Sequence, residues 1–451
     1  MNGDDRIGTK IGTYFESKWP RQWFWIRRFP AAVLVLGFAL WMIKPVGDAR
    51  LTAVAYGLVV AGSILSSLGQ RPWLDRRVNW FFLASVAIGL FGAIVGFARG
   101  NPGAASEMVF FVVLPAVWAI ISSTIDLRSV QIIVNSIPFV ALSIGLLGLS
   151  YWLDAIGVPG FGWAILIDLG QGIGLPGDRA YGYVLTYYPI SSLAFILPFL
   201  LVSLFVPNTF SWKWSRIVVW PAIASVLFLL FISGRRALFV SLILAVIIGF
   251  FTLFLGAAEV KTRRRLYIVG ASALVAGAGI TLVSRFSPAA MIGSVMGDMF
   301  SSDSVRAKSG SALLESFAKS PIIGNGLGAT VGGSVRDKLH PWNFELQYHL
   351  VLNALGVVGL LILTAVTLGL LVLGALTYKS DRLKFTLLAP VTVGTISCLI
   401  ANATNPYIHT PGSYWMLFLL VIATNAALRY RRTIDQSGPV AAPSQREPIG
   451  G

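Results

Sequence analysis

Long apolar runs repeat from one end of this 451-residue chain to the other, and they restrict its fold more than any other feature. Each is long enough to cross roughly 30 Å of hydrocarbon as a helix. In hydrocarbon every backbone N–H and C=O must be paired internally, so only helices and closed barrels span it. Alternating strands of the barrel kind are absent, which argues against a barrel. The runs fall at roughly 30–46, 51–68, 79–98, 107–123, 130–152, 184–206, 217–233, 237–256, 267–284, 346–377, 385–403 and 411–428. The expected fold is an all-α polytopic membrane protein with about 12 transmembrane helices. Charged residues are 12% of the chain, about half the usual share in a soluble domain.

The net charge of +16 raises the question of nucleic acid, and its distribution answers it. With the N-terminus in the cytoplasm, the inside segments hold 23 of the 35 Lys and Arg residues and nine of the 19 acids. That asymmetry is the positive-inside rule. Topology therefore accounts for the excess, and no nucleic-acid partner is expected. Both termini are expected in the cytoplasm. Residues 1–29 are basic and aromatic, without the apolar core of a cleavable signal, and suit a segment at headgroup level. Transmembrane helices 1–9 occupy 30–284, a large periplasmic loop with short helices 285–345, and helices 10–12 residues 346–428. The tail 429–451 reads as disordered and cytoplasmic. The single cysteine, Cys398, sits in an apolar run and reads as packing.

The stretch "FLLFISGRRALFVSLIL" (227–243) puts Arg235 and Arg236 side by side at the outer turn between the seventh and eighth runs. An arginine buried at a membrane edge costs about 2.5–3.5 kcal/mol on insertion scales. Few acids lie near, so an anionic ligand is one reading, because the guanidinium fork matches phosphate. Snorkelling to the outer headgroups is the other. More cations gather on the same side. Arg306 opens an amphipathic stretch, "SSDSVRAKSGSALLESFAKSP"; Arg179 and Tyr181 lie in "GLPGDRAYGYVLTYYP"; Arg336 precedes His340. His340, His349 and His409 all fall on or near the outer half. The glycine-rich "IIGNGLGATVGG" that follows the amphipathic stretch could cradle phosphate oxygens or be a flexible turn. In "HPWNFELQYHLVLNALGVVGLL" (340–361), Glu345 stands at the outer start of the tenth run. It could act as a general base toward a sugar hydroxyl or pair with an arginine.

Taken together these motifs resemble the O-antigen polymerase and O-antigen ligase superfamily of bacterial polysaccharide assembly. The likeness covers roughly residues 170–375. It rests on "SGRRA" opening the eighth run, "DRAYGYVLTYYPISSLAFILPFL" leading into a span, the large loop before the tenth run, "SALLESFAKSPIIGNGLGA", and "FELQYHLVLNALGVVGLL". The resemblance implies a GT-C-like glycosyltransferase of the inner membrane. Such an enzyme joins undecaprenyl-diphosphate-linked oligosaccharides at the periplasmic face, with inversion and without metal. It implies donor-diphosphate contacts from Arg236, with Arg235 beside it, and from Arg306. Arg179 is a further candidate for the diphosphate, and Tyr181, Arg336 and His409 are candidates for other substrate contacts. The position where the ligases carry a catalytic histidine holds Glu345 here, and His340 lies five residues earlier. That departure favours polymerase over ligase.

The expected activity is polymerisation of lipid-linked repeat units into exopolysaccharide or O-antigen. The alternatives are transfer of finished glycan to a lipid A core, and transport or flipping of the lipid-linked glycan. No outer segment holds a close pair of acids, so no metal is expected, and no cofactor. Expected partners are the lipid-linked oligosaccharide and membrane lipid, with a chain-length regulator protein as a further candidate.

Overall fold

The computed structural model describes residues 23–43, 49–68, 72–155, 174–177, 184–186, 191–206, 208–233, 238, 242–243, 247, 305–332, 340–381, 385–403 and 406–436. The chain is mostly helical. In chain order the helices are α1 (Trp23–Ile43), α2 (Ala49–Ser67), α3 (Arg76–Ala98), α4 (Ala104–Met108), α5 (Leu114–Thr124) and α6 (Leu127–Ala155). They continue with α7 (Leu193–Ser203), α8 (Lys213–Ser233), α9 (Val305–Ala318), α10 (Gln347–Ser380), α11 (Leu388–Ala401) and α12 (Trp415–Gln436). One short antiparallel pair, β1 (Gly174–Gly177) with β2 (Val184–Thr186), departs from the all-α expectation.

Seven helices among the described residues are long and apolar enough to cross a membrane, and α1, α7 and α11 supply shorter apolar helices. Ten of the twelve predicted runs thus coincide with a helix. The runs at 237–256 and 267–284 lie almost wholly outside the described residues. The sixth run, predicted from residue 184, becomes helical only at Leu193.

A wide wall of α3 and α10 stays exposed in apolar residues such as Ile94, Phe97, Leu361 and Leu368. This is the surface a helix presents to hydrocarbon. The centre belongs to α12, whose spanning stretch is 89% buried. Its Phe418 stacks on Trp118 at 5.0 Å and on Phe82 at 5.8 Å between ring centres. Around that stack α1 packs on α2 and α6, α6 on α8, α7 on α11, and α3 on α10.

α4 and α5 form one rod interrupted by a π-helical turn, Val109–Val113, and the cause is in the sequence. Pro115 lacks an N–H. The carbonyls one turn earlier, Phe111 in α register and Phe110 in π register, therefore lose their donor. Phe110 O instead accepts the Tyr414 hydroxyl at 2.7 Å. Phe111 O lies where a Cβ on Gly89 would come within 2.3 Å, so this contact needs glycine on α3.

The bundle has two polar ends. One collects residues 72–76, 122–127, 208–216, 381, 385–388 and the last turns of α12. The other collects the end of α1 and residues 99–104, 318–332, 340–349, 399–403 and 406–414.

Candidate functional site

The second end holds the chemistry-bearing side chains, and it is organised around a break. Within α10, Gly356 adopts φ 68° and ψ −174°, so the helix stops and restarts. A break in an apolar helix orphans the carbonyls before it and the N–H groups after it. The glycine-rich loop takes up both. Asn325 N–H donates to Asn353 O at 2.7 Å and Gly326 N–H to Ala354 O at 2.9 Å. In return Val357 N–H donates to Pro321 O at 2.9 Å and Val358 N–H to Ile322 O at 3.3 Å.

The same loop seats on α3. Leu327 N–H donates to Gly92 O at 2.9 Å, and Gly103 N–H to Gly328 O at 3.2 Å. Gly324, Gly326 and Gly328 all have φ between 71° and 83°. A Cβ on Gly326 would sit 2.4 Å from Gly96 N, and one on Gly328 2.0 Å from Gly103 C. Both sequence readings of this run are corrected. It is not a flexible turn, because its backbone abuts two helices. At 324–327 it is not a phosphate cradle, because those N–H groups are already engaged within the protein. Side chains complete the seat. Asn101 Nδ2 donates to Asn325 O and Leu327 O, Asn325 Nδ2 donates to Asn353 Oδ1 at 2.8 Å, and Arg99 reaches Asn325 Oδ1 and Ser320 Oγ.

The amphipathic stretch is α9. Leu313 is fully buried while Leu314 faces outward. Leu313 packs with Val331, Phe344, Leu346 and Leu350, which pins the chain entering α10. Glu345 stands half-buried between the two anchors Phe344 and Leu346. His340 is exposed in a turn closed by Asn343 N–H to His340 O, with its ring edge-on to Trp342 at 5.6 Å. Trp342 lies on Gly103, where a Cβ would meet the indole at 2.4 Å.

The remaining predicted residues divide. Arg179, Tyr181, Arg235, Arg236 and Arg336 lie outside the described residues. Arg306 lies in the first turn of α9, of which only the backbone is described. His409 comes to the same end as Glu345, in the loop between α11 and α12, and its partner there is a carboxylate. His409 Nε2 is 2.7 Å from Glu107 Oε2, and the two side chains are 7% and 3% exposed. The Phe110 ring lies 4.4 Å from the imidazole.

Glu107 escaped the reading of the sequence, although a signal was present. It is the one acid in the apolar run from Ala104 to Thr124, and an ionisable group within a span marks function or a buried partner. The partner, 302 residues away, is visible only in the fold. Tyr56 and Tyr414 were missed as well. The Tyr56 hydroxyl donates to Pro411 O at 2.8 Å, and Tyr414 bonds the carbonyl left by the π turn. Among the described residues no group of three or more His, Cys, Asp or Glu side chains forms a metal site. An open depression between Ser380, Asp381, Phe385 and Arg431 lies at the opposite end of α10 from these groups.

At one end, then, the protein has a half-buried carboxylate on a pinned segment, an exposed imidazole five residues before it, and a buried carboxylate–imidazole pair. Side chains of these types are the usual participants in general acid–base chemistry. No protein-family model matches the chain, and no curated protein matches it. What stands is the class, a mostly helical protein with seven helices suited to crossing a membrane among its described residues.

Proposed function

We propose that the chain is a polymerase of lipid-linked oligosaccharide repeat units, working at the periplasmic face of a bacterial inner membrane. The observation that carries this reading is the seating of the 318–332 loop in the break of α10, with Glu345 held beside it. A mobile extramembrane loop would leave a catalytic carboxylate wandering; a pinned one holds it in register with a bound hydroxyl. The sorting of the connections supports the topology. Of the segments expected outside, the described residues 99–103, 318–332, 340–346, 402–403 and 406–414 share one end. Of the segments expected inside, the described residues 72–75, 124–127, 208–212, 381, 385–387 and the end of α12 share the other.

In this reading all twelve runs span, both termini are cytoplasmic, and the architecture is GT-C-like. The acceptor sugar hydroxyl attacks the anomeric carbon of a lipid-diphosphate donor from the face opposite the leaving group. The new C–O bond forms as the bond to the diphosphate oxygen breaks. The hydroxyl proton passes to Glu345, or to His340. The electron pair leaves on the diphosphate, whose charge is matched by Arg235, Arg236, Arg306 and Arg179, with Tyr181 and Arg336 toward the sugars. Fixed cations aimed at a leaving anion lower the barrier without reorganisation.

The test is Glu345→Gln in the native cell, with the lipid extract analysed by mass spectrometry and protein abundance measured alongside. Single repeat units accumulating on undecaprenyl diphosphate, at normal abundance, are the expected result. Long lipid-linked chains instead would make the protein a ligase. Normal polymer would remove Glu345 from the chemistry. A transport reading has one observation in its favour, the ionisable Glu107–His409 pair within a helical bundle beside an interrupted helix. Repeat units that a membrane-impermeant reagent fails to reach from the outer side of spheroplasts of the same strain would select it.

A further inference from the structure

The segment that carries Glu345 runs between two walls. On one side, Trp342 rests on Gly103, three residues before Glu345. Gly103 O in turn accepts the Glu107 N–H at 2.9 Å. On the other side, three residues after Glu345, the Tyr348 hydroxyl donates to Leu399 O at 2.6 Å. Leu399 lies in the last turn of α11, which leads into the His409 loop. Asn402 Oδ1 holds that loop through Ile408 N–H at 2.9 Å. The two walls meet where Glu107 touches His409.

Anchoring alone does not account for this contact. The His409 loop is already fastened to α2 by Tyr56, and the start of α12 to the π turn by Tyr414. Burying two ionisable side chains is costly, and their mutual contact only partly offsets that cost. Apolar packing would fasten the loop as well at lower cost. What the pair adds is a short, directional link between the walls, fixing their separation to the length of one hydrogen bond.

We propose that Glu107 and His409 are a positioning pair that sets the place of the Glu345 carboxylate between these walls. The proposal rests on the polymerase reading for its catalytic readout. A second readout, independent of activity, tests the positioning itself.

The experiment uses the full chain in vesicles of bacterial phospholipid, with lipid-linked repeat units as substrate. The variants are Glu107→Gln, His409→Gln and the milder Glu107→Asp, which keeps the charge and shortens the reach. Each is expected to lower kcat about tenfold or more while KM for the lipid-linked donor stays within about twofold. In parallel, Glu345→Cys is made in a Cys398→Ser background, and its labelling rate with a membrane-impermeant maleimide is measured. Placing each Glu107 or His409 variant in that background should change the rate by about threefold or more. If the Gln variants do not fold, Glu107→Asp carries both readouts.

A shift in labelling together with lost kcat supports the proposal. A shift in labelling where the parent chain polymerises nothing leaves the positioning standing and removes the polymerase reading. Unchanged labelling overturns the proposal. With kcat unchanged and only the melting temperature lowered, the pair is a clamp; with kcat lowered, it acts on the reaction by another route.

Discussion

The two ends of the bundle solve the same problem, backbone groups left over where helices stop, in opposite ways. At the end formed by α3, α5 and α12, polar side chains tie helix ends together. Buried Asn425 accepts from Asp75 N–H at 2.8 Å and donates to Trp73 O at 3.1 Å and Ser122 O at 2.8 Å. Arg429 donates to Ser123 O, and Arg432 lies 4.4 Å over the Trp73 ring. Its clearest ion pairs stay near water, as with the largely exposed Arg77 on Asp75. At the other end backbone meets backbone. A loop with three left-handed glycines fills a broken helix, and the hydrogen-bonded pair of Glu107 and His409 is withdrawn from solvent. The first arrangement holds helices together and tolerates change, because each side chain is one tie among several. The second fixes the position of a segment, because the backbones abut and cannot shift separately.

The largest effect should follow from filling the close approach at the loop. Gly326→Ala adds a Cβ at φ 83°, within 2.4 Å of Gly96 N. It should destabilise by about 3 kcal/mol or more and abolish polymer formation. Thermal melting of the solubilised protein reads the first effect and cellular polymer the second. A variant that melts like the parent would break the comparison, since the loop would then not be seated as described. Asn425→Ala tests the other end. Leaving Asp75 N–H, Trp73 O and Ser122 O without this partner should cost about 2 kcal/mol, while turnover per folded molecule stays unchanged. Lost turnover at normal stability would mean that the ends are not separate in function. The smallest effect belongs to Asp75, which caps α3 by accepting from Arg77 N–H at 2.9 Å. Asp75→Ala should cost about 1 kcal/mol and Asp75→Asn only part of that.

Asp75 also gives a pH dependence. Burial pushes its carboxyl up, but hydrogen bonds and charge from Arg77, with Arg432 beyond, hold it below its ordinary value of 3.8. A carboxyl lowered in the fold stabilises above the unfolded value, and that contribution fades as pH falls through the folded one. Asp75→Asn should therefore narrow the gap to the parent in melts taken below about pH 3.8 and leave it largest near neutrality.

Much of the architecture was legible because hydrocarbon is a demanding solvent. Runs such as 130–152 and 217–233 had to be helical, and α6 and α8 are. α9 was legible from its Ser/Asp start, apolar Leu313 and terminal Pro321. The glycine run drew attention for the wrong reason. Its composition announced unusual backbone, and no local rule could say that the backbone was unusual in order to meet Gly96, Gly103 and Ala354. Glu345 and His340 were legible as polar groups on the way into α10. The support beneath Glu345 was not, because Gly103 and Leu399 are remote in sequence.

By itself, then, the sequence determined which of the described segments are helices and which connections between them carry charge. Those properties follow from burial and backbone pairing within a single segment. Only the tertiary structure decided that Pro115 frees a carbonyl for Tyr414, that Gly356 opens α10 to the loop, and that Glu107 finds His409. Each of these joins groups far apart along the chain. Their energy depends on which helices touch, and no short stretch of sequence specifies that.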